Sequence, residues 1–252
     1  MEPGVFIAMM LGAIPALVLF FYMLDPFEGL FDEKSVFFSF VIGMSVGVVV
    51  GVIHVAVDPW ALQTYFTSII IFVVGFAMFD TFLRVVLFNS SKFSLKMETT
   101  FYSTAFSLGY GAMLAALWFY RSFTHPTAEV NTWVFLAYIA ASFAFAVVYG
   151  STGMLLGFGA HEGLIWRLAA MSIALHVFLN FLWWIAMASS IYTQPGVLPV
   201  WELGVLIMGI AAVYGIYLFR WTMNKVVPDL LPTETMRYRR RFLRKRGRID
   251  TK

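Results

Sequence analysis

The sequence predicts an all-α, polytopic transmembrane helical bundle of about seven spans, and three observations carry this prediction. Hydrophobic residues make up 61% of the 252 residues, whereas only 12% are charged, against roughly 25% in soluble domains. The hydrophobic residues come in runs of roughly twenty, the length that a helix needs to cross a hydrocarbon layer of about 30 Å. Most Lys and Arg residues lie near the end of the chain, which indicates a fixed orientation in the membrane.

The spans follow one another with short breaks that contain turn-forming residues such as Asp25-Pro26 and Asp58-Pro59. The first span has no basic segment before it and no small-residue cleavage site after it, so we expect it to be retained. The predicted spans are about 3–24, 36–57, 61–88, 100–120, 132–157, 164–188 and 199–223. Residues 1–225 thus form the transmembrane domain, and residues 226–252 form a basic tail.

The positive charges predict the orientation. Eleven of the seventeen Lys and Arg residues lie from Arg220 onward, which favours a cytoplasmic tail and, with seven spans, an N-terminus outside. Arg121 alone falls on the outer side. We therefore expect a multi-pass protein of the cell membrane. The remaining Lys and Arg residues fall on the cytoplasmic side: Lys34, Arg84, Lys92, Lys96 and Arg167.

The tail has two interpretations. It is either a solvated anchor that fixes the topology, or an amphipathic segment that binds anionic lipid or an acidic partner. We expect no sequence-specific binding of nucleic acid. The candidate binding residues are Arg237, Arg239, Arg240, Arg241, Arg244, Lys245, Arg246 and Arg248.

The second span carries glycines at every fourth position, Gly43, Gly47 and Gly51. Small residues at this spacing form a ridge that lets another helix backbone approach closely. The pattern predicts helix packing and carries no chemistry.

Few ionisable or amide residues lie at membrane depth, where each needs a partner or a role. Asp80 and Arg84 are four residues apart on the third span, so they share a helix face and can pair. His176 and Asn180 have the same spacing on the sixth span. Each pair is either structural, as an ion pair near the cytoplasmic interface or a hydrogen bond between helices, or part of one shared polar pocket. His54 is expected near the outer end of the second span.

Four segments together resemble the PrsW family of intramembrane proteases and the wider superfamily of CAAX prenyl endopeptidases. They are the acidic, proline-containing end of the first span at 20–28, a segment at 79–84 in place of a Glu-Glu-x3-Arg motif, a glycine-rich segment at 106–112, and a His-x3-Asn segment at 175–181. The resemblance implies a bundle with catalytic Asp80 and His176 and with Arg84 and Asn180 in the same polar pocket.

The chain departs from the pattern of that superfamily at several positions. Phe79 replaces the first glutamate, Asp80 replaces the second, no acid occurs in 112–117, and Ser142 stands near the place of an expected histidine. The same superfamily is thought to include a catalytically silent relative, the seven-span scaffold subunit of γ-secretase called anterior pharynx-defective. The leading hypothesis is therefore a non-catalytic scaffold or binding subunit that associates with other membrane proteins.

The alternative is an intramembrane protease with a reduced Asp80/His176 site. A metal-dependent hydrolase needs roughly three protein ligands, and a carboxylate mechanism needs a second acid or base. Because the chain has no cysteine and few polar residues at membrane depth, we predict no cofactor and no confident metal site. A carrier is disfavoured because no inverted repeat is evident.

Overall fold

The structure is a computed structural model that describes residues 3–27, 30–57, 66–91, 93, 96–124, 131–190 and 201–230. Within these residues the chain is all-α, as predicted, and one short 3₁₀ turn, Asp25–Phe27, follows the first helix. The seven helices are α1 (Pro3–Leu24), α2 (Glu33–Ala56), α3 (Phe66–Phe88), α4 (Thr99–Phe123), α5 (Thr132–Glu162), α6 (Ile165–Ser190) and α7 (Trp201–Leu230).

The largest extensions beyond the predicted spans are at the ends of two helices, α5 and α7. α5 extends past 157 through a glycine-rich stretch to Glu162, because its glycines pack against neighbouring helices instead of breaking the helix. It ends at Gly163, whose φ of 73° is a left-handed conformation that glycine adopts without strain. α7 runs to Leu230, across the predicted boundary between domain and tail at 225/226. The predicted start of the third span, 61–65, lies outside the described residues.

Six of the described helices are long and apolar enough to cross a membrane, namely α1, α2, α3, α5, α6 and α7. The chain is therefore a helical membrane protein of the multi-pass class. The remaining helix, α4, carries buried polar residues along its length, including Thr100, Ser103 and Ser107. It packs against α1, α2 and α5, so its side chains face protein, where hydroxyl groups and small residues are favourable.

α4 and α5 form the centre of the bundle, and the other helices surround them. α1 and α2 pack against α4, whereas α6 and α7 pack against α5 and against each other, and α3 lies on α6 and α5. α4 runs antiparallel to α1 along its whole length. Gly4 at the start of α1 lies beside Phe123 at the end of α4, and Phe27 just after α1 contacts the ring of Phe101 in the first turn of α4 at 5.3 Å.

The glycine ridge of α2 faces α4. A Cβ atom on Gly43 or Gly47 would overlap the backbone of α4, and one on Gly51 would overlap a leucine side chain. The two helix backbones are thus close enough that only glycine fits between them. The facing residues of α4 are Phe106, Tyr110 and Leu117.

α2 begins with a side-chain cap. The carboxylate of Asp32 accepts hydrogen bonds from the backbone N–H of Ser35 at 2.9 Å and from its hydroxyl at 2.6 Å. These bonds favour the ionised carboxylate and hold the pKa of Asp32 below its usual range. An exposed negative charge therefore stands at the start of α2.

Candidate functional site

The packing of five helices brings a group of polar side chains together at the centre of the bundle, and all of them are buried. The third helix supplies the two charged residues, and its neighbours supply hydroxyl and imidazole groups. We call this group the polar cluster, and its members are His54, Asp80, Arg84, Ser107, Tyr110, Tyr149, Thr152 and His176.

The carboxylate of Asp80 is held by three side chains from three other helices. The hydroxyl of Tyr110 donates to Oδ1 at 2.6 Å, and that of Tyr149 donates to Oδ2 at 2.7 Å. Nε2 of His54 lies 3.2 Å from Oδ1, and its ring stacks on Phe76 at 3.9 Å between centroids. Because a buried carboxylate is stable only when its oxygens are paired, these contacts account for an acid at 0% exposure.

Arg84 extends away from the carboxylate and reaches three helices. Its Nε donates to the backbone oxygen of Asp80 at 3.0 Å. Its Nη1 donates to the hydroxyls of Ser107 at 3.4 Å and Thr152 at 3.2 Å. Its Nη2 lies 3.4 Å from Nε2 of His176. Four of the five guanidinium N–H groups thus have partners within the protein.

The imidazole of His176 is oriented by its own helix. Nδ1 lies 2.8 Å from the backbone oxygen of Ser172, so Nδ1 carries a proton and donates it. Nε2 then accepts, with the guanidinium of Arg84 and the hydroxyl of Thr152 at 3.3 Å as its neighbours. The hydroxyl proton of Thr152 is directed to the backbone oxygen of Val148 at 2.9 Å. These partners assign the neutral Nδ1–H tautomer to His176.

Asp80 and His176 share neighbours but do not contact each other. Tyr149 bonds to the carboxylate through its hydroxyl and places its ring edge-on against the imidazole, 4.4 Å between centroids. The guanidinium of Arg84 lies 5.1 Å from the centre of the same ring, close enough for a cation–π interaction. Tyr149 and Arg84 therefore fill the space between the acid and the histidine.

The charges of the polar cluster balance. It contains one carboxylate, that of Asp80, and one guanidinium, that of Arg84, and both are at 0% exposure. The i, i+4 spacing allows a direct pair, but Arg84 binds the backbone oxygen of Asp80 and the carboxylate turns toward Tyr110 and Tyr149. The predicted direct ion pair between Asp80 and Arg84 is therefore absent. Both charges lie instead in one buried network, where other polar groups link the carboxylate to the guanidinium.

Asn180 lies outside the polar cluster. It is half-buried and lines an adjacent cavity of about 40 Å³ together with His54, Trp118 and Trp183. A cavity of this volume is large enough for water molecules. Asn180 thus lines a cavity that borders the polar cluster at His54, whereas His176 contacts Arg84 and Thr152 within the cluster.

Five cluster residues were not among the predicted site residues: His54, Ser107, Tyr110, Tyr149 and Thr152. The spacing of four of these residues indicates a shared polar face on each helix. Ser107 and Tyr110 on α4 are three residues apart, and so are Tyr149 and Thr152 on α5. A tyrosine hydroxyl within an apolar helix needs a partner, and so does an intramembrane aspartate. His54 gave no such signal; it lies in the last turn of α2, where it is buried in contact with Asp80.

Other predicted site residues lie elsewhere. The candidate binding residues of the tail, from Arg237 to Arg248, are outside the described residues. Among the residues that are described, no group of three His, Asp or Glu side chains is placed to hold a metal ion.

Comparison with known proteins identifies no relative of the chain. The chain matches no protein-family model, no curated protein and no solved structure. The class that the fold defines is a multi-pass helical membrane protein with a buried polar cluster.

Proposed function

We propose that the chain is a seven-span, non-catalytic member of the PrsW-like superfamily that acts as a scaffold or binding subunit of a complex in the cell membrane. The observation that carries the proposal is the saturation of Asp80. Both carboxylate oxygens accept hydrogen bonds from tyrosine hydroxyls, and the residue has 0% exposure.

A general acid or base must reach a water or a substrate within hydrogen-bond distance. Nδ1 of His176 is bonded to the backbone of its own helix, and Nε2 is enclosed by Arg84 and Thr152. Asp80 and His176 are thus engaged with protein groups and lie at 0% exposure. A cluster of this kind joins helices and fixes their register, which is what a scaffold requires.

The arrangement of the helices supports seven spans. α4 has 25 residues, a length of about 37 Å at 1.5 Å per residue, and its two ends meet the two ends of α1. Because α1 has the length and hydropathy of a span, a helix that runs antiparallel along all of it crosses the same layer.

Exposed cations support the N-outside, C-inside orientation. Lys34, Lys96 and Arg167 are exposed and lie at helix ends or in connections that the seven-span topology assigns to the cytoplasm. Arg84, which the sequence pattern also assigned to that side, is buried in the polar cluster. It therefore contributes to folding and carries no information about orientation.

A complementation experiment tests the function. In cells that lack the chain, we would express the wild type or His176→Gln at equal levels, then quantify membrane-protein abundance and newly generated N-termini. Glutamine retains a hydrogen-bond acceptor for Arg84 but cannot act as an imidazole base. We expect both forms to restore the same dependent membrane proteins, with no new N-termini. New N-termini that require His176 would contradict the proposal.

A second candidate, an intramembrane protease with a reduced Asp/His site, is favoured by one observation. Nε2 of His54 lies 3.2 Å from the carboxylate of Asp80, and His54 also lines the cavity beside Asn180, so a carboxylate and an imidazole lie together beside a space for water. In the same experiment this candidate predicts new N-termini with the wild type that disappear with His54→Gln. Equal N-termini in both would exclude this candidate.

A further inference from the structure

A groove of about 460 Å³ lies between the end of α1 and the start of α2. Its volume is within the range of about 300–1,000 Å³ that is typical of small-molecule sites. The buried side chains of Phe20, Leu24 and Val36 line it from the two helices. We call it the α1–α2 groove.

The apolar part of the groove has a fixed inner wall and an open edge. The ring of Phe20 packs on Phe40 of α2 at 5.1 Å between centroids, which holds the inner wall in place. Phe21, Phe37 and Phe38 also line the groove, with exposed fractions of 62%, 52% and 63%. In a bilayer such exposed rings contact acyl chains, so the groove is open to lipid.

The charged residues of the groove lie at the helix ends. Asp25 follows the last residue of α1, and Glu33 and Lys34 are the first two residues of α2. The apolar residues that line the groove lie in the adjoining turns of both helices. The groove is therefore apolar along the helices and charged where the helices end, at the level of the lipid head groups.

We propose that the α1–α2 groove binds one molecule of phosphatidylethanolamine. Lys34 supplies a cation for the phosphate, and the carboxylates of Asp25 and Glu33 accept hydrogen bonds from the primary ammonium group. The aromatic side chains contact one acyl chain. We call the charged end of the groove its rim. Among the described residues that line the rim, the two carboxylates of Asp25 and Glu33 outnumber the one ammonium of Lys34, and the exposed Asp32 adds a further negative charge. An anionic lipid is repelled by such a rim, and a choline head group has no N–H to donate.

Native mass spectrometry of the full chain tests the proposal. The protein is purified in detergent and mixed with equal amounts of phosphatidylethanolamine, phosphatidylglycerol and phosphatidylcholine that carry identical acyl chains. We expect retention of phosphatidylethanolamine to exceed that of the other two lipids roughly tenfold, the ratio that one charge-assisted hydrogen bond provides. Equal retention of the three lipids, or no retained lipid, would overturn the proposal.

Variants of the three charged rim residues test which of them contacts the phosphate and which contact the ammonium group of the lipid. Lys34→Gln should lower the retention of phosphatidylethanolamine, and Asp25→Asn with Glu33→Gln should remove the preference over phosphatidylglycerol. Lys225→Gln is the matched control, because Lys225 is an exposed lysine near the end of α7 that does not line the groove. The three rim residues are exposed, so we expect unchanged thermal unfolding. Rim variants that behave like the control would contradict the assigned contacts.

Discussion

The polar cluster shows how a single carboxylate is accommodated inside a membrane bundle. An ionised acid that leaves water loses several kcal/mol of hydration free energy unless protein groups replace the water. Asp80 receives its replacements from Tyr110 and Tyr149, whose hydroxyls come from two different helices. The long, rigid tyrosine side chain reaches the acid from a neighbouring helix and buries an aromatic ring on the way. The carboxylate of Asp80 thereby links α3 to α4 and α5.

Loss of one tyrosine hydroxyl should destabilise the fold. In Tyr149→Phe the ring against His176 remains, but one carboxylate oxygen loses its donor. We expect the free energy of unfolding to fall by about 1.5–3 kcal/mol, the value of a hydrogen bond to a charged group, measured by denaturant or thermal unfolding in detergent. Tyr217→Phe is the control, because Tyr217 is 70% exposed. Equal stability of the two variants would mean that the hydroxyl bond contributes nothing.

The two buried charges should be coupled although they do not touch. We expect Asp80→Asn and Arg84→Met each to lower the free energy of unfolding by about 3–5 kcal/mol, since each leaves one charge uncompensated. The double variant leaves none, so it should cost less than the sum of the single variants by at least about 1 kcal/mol. Unfolding of the four proteins under one condition gives this coupling energy. Strict additivity would show that the network does not link the charges.

The sequence allowed only part of this cluster to be predicted. Asp80, Arg84 and His176 stood out because ionisable residues are rare at membrane depth. The contact of His54 with Asp80 joins α2 to α3, and its form depends on how the helices pack, which residue spacing within one helix does not determine. Likewise, Asn180 shares a face with His176 by spacing, but positions four apart differ by about 40° around the helix, and Asn180 lines the cavity that borders the cluster.

At the scale of helices, the runs of hydrophobic residues identified the elements, because the length of an apolar helix is set by the thickness of the bilayer. Their ends were harder to place. α5 continues through Gly157 and Gly159 because both face neighbouring helices closely, whereas Gly163 ends it through a positive φ. A glycine that packs and a glycine that caps look alike in the sequence, and only the surrounding helices distinguish them.

The packing of α2 on α4 should depend on the absence of a side chain at Gly43. A Cβ atom there would meet the backbone of Phe106, which cannot move without displacing α4. We expect Gly43→Ala to lower the free energy of unfolding by about 1–3 kcal/mol, as overpacking does. Gly75→Ala in α3 is the matched control, because nothing lies within 4 Å of its Cβ position. Unfolding of both in the same detergent should leave the control as stable as the wild type. A tolerated Gly43→Ala would show that the helices are further apart.

For the whole molecule, hydropathy alone gives six candidate spans among the described helices, and α4 is the long helix that it leaves out. α4 packs against α1, α2 and α5 and carries buried hydroxyl groups and small residues, which lower its hydropathy. A helix in the centre of a bundle can carry the hydroxyl groups of Ser107 and Tyr110, since Arg84 and Asp80 of α3 bond to them. The polar character of α4 and the buried charges of α3 are therefore two parts of one arrangement.

Cysteine labelling tests the crossing of α4 and the orientation together. The chain contains no cysteine, so a single introduced cysteine is labelled without background. Ser90 lies in the connection between α3 and α4, Thr124 directly follows α4, and both are exposed. In intact cells, we expect a membrane-impermeant maleimide to label Thr124→Cys, and to label Ser90→Cys only after permeabilisation. Labelling of both from the same side would mean that α4 does not cross the membrane. The reverse pattern would keep the seven spans but place the N-terminus and the basic tail on the opposite sides from those that the positive charges predict.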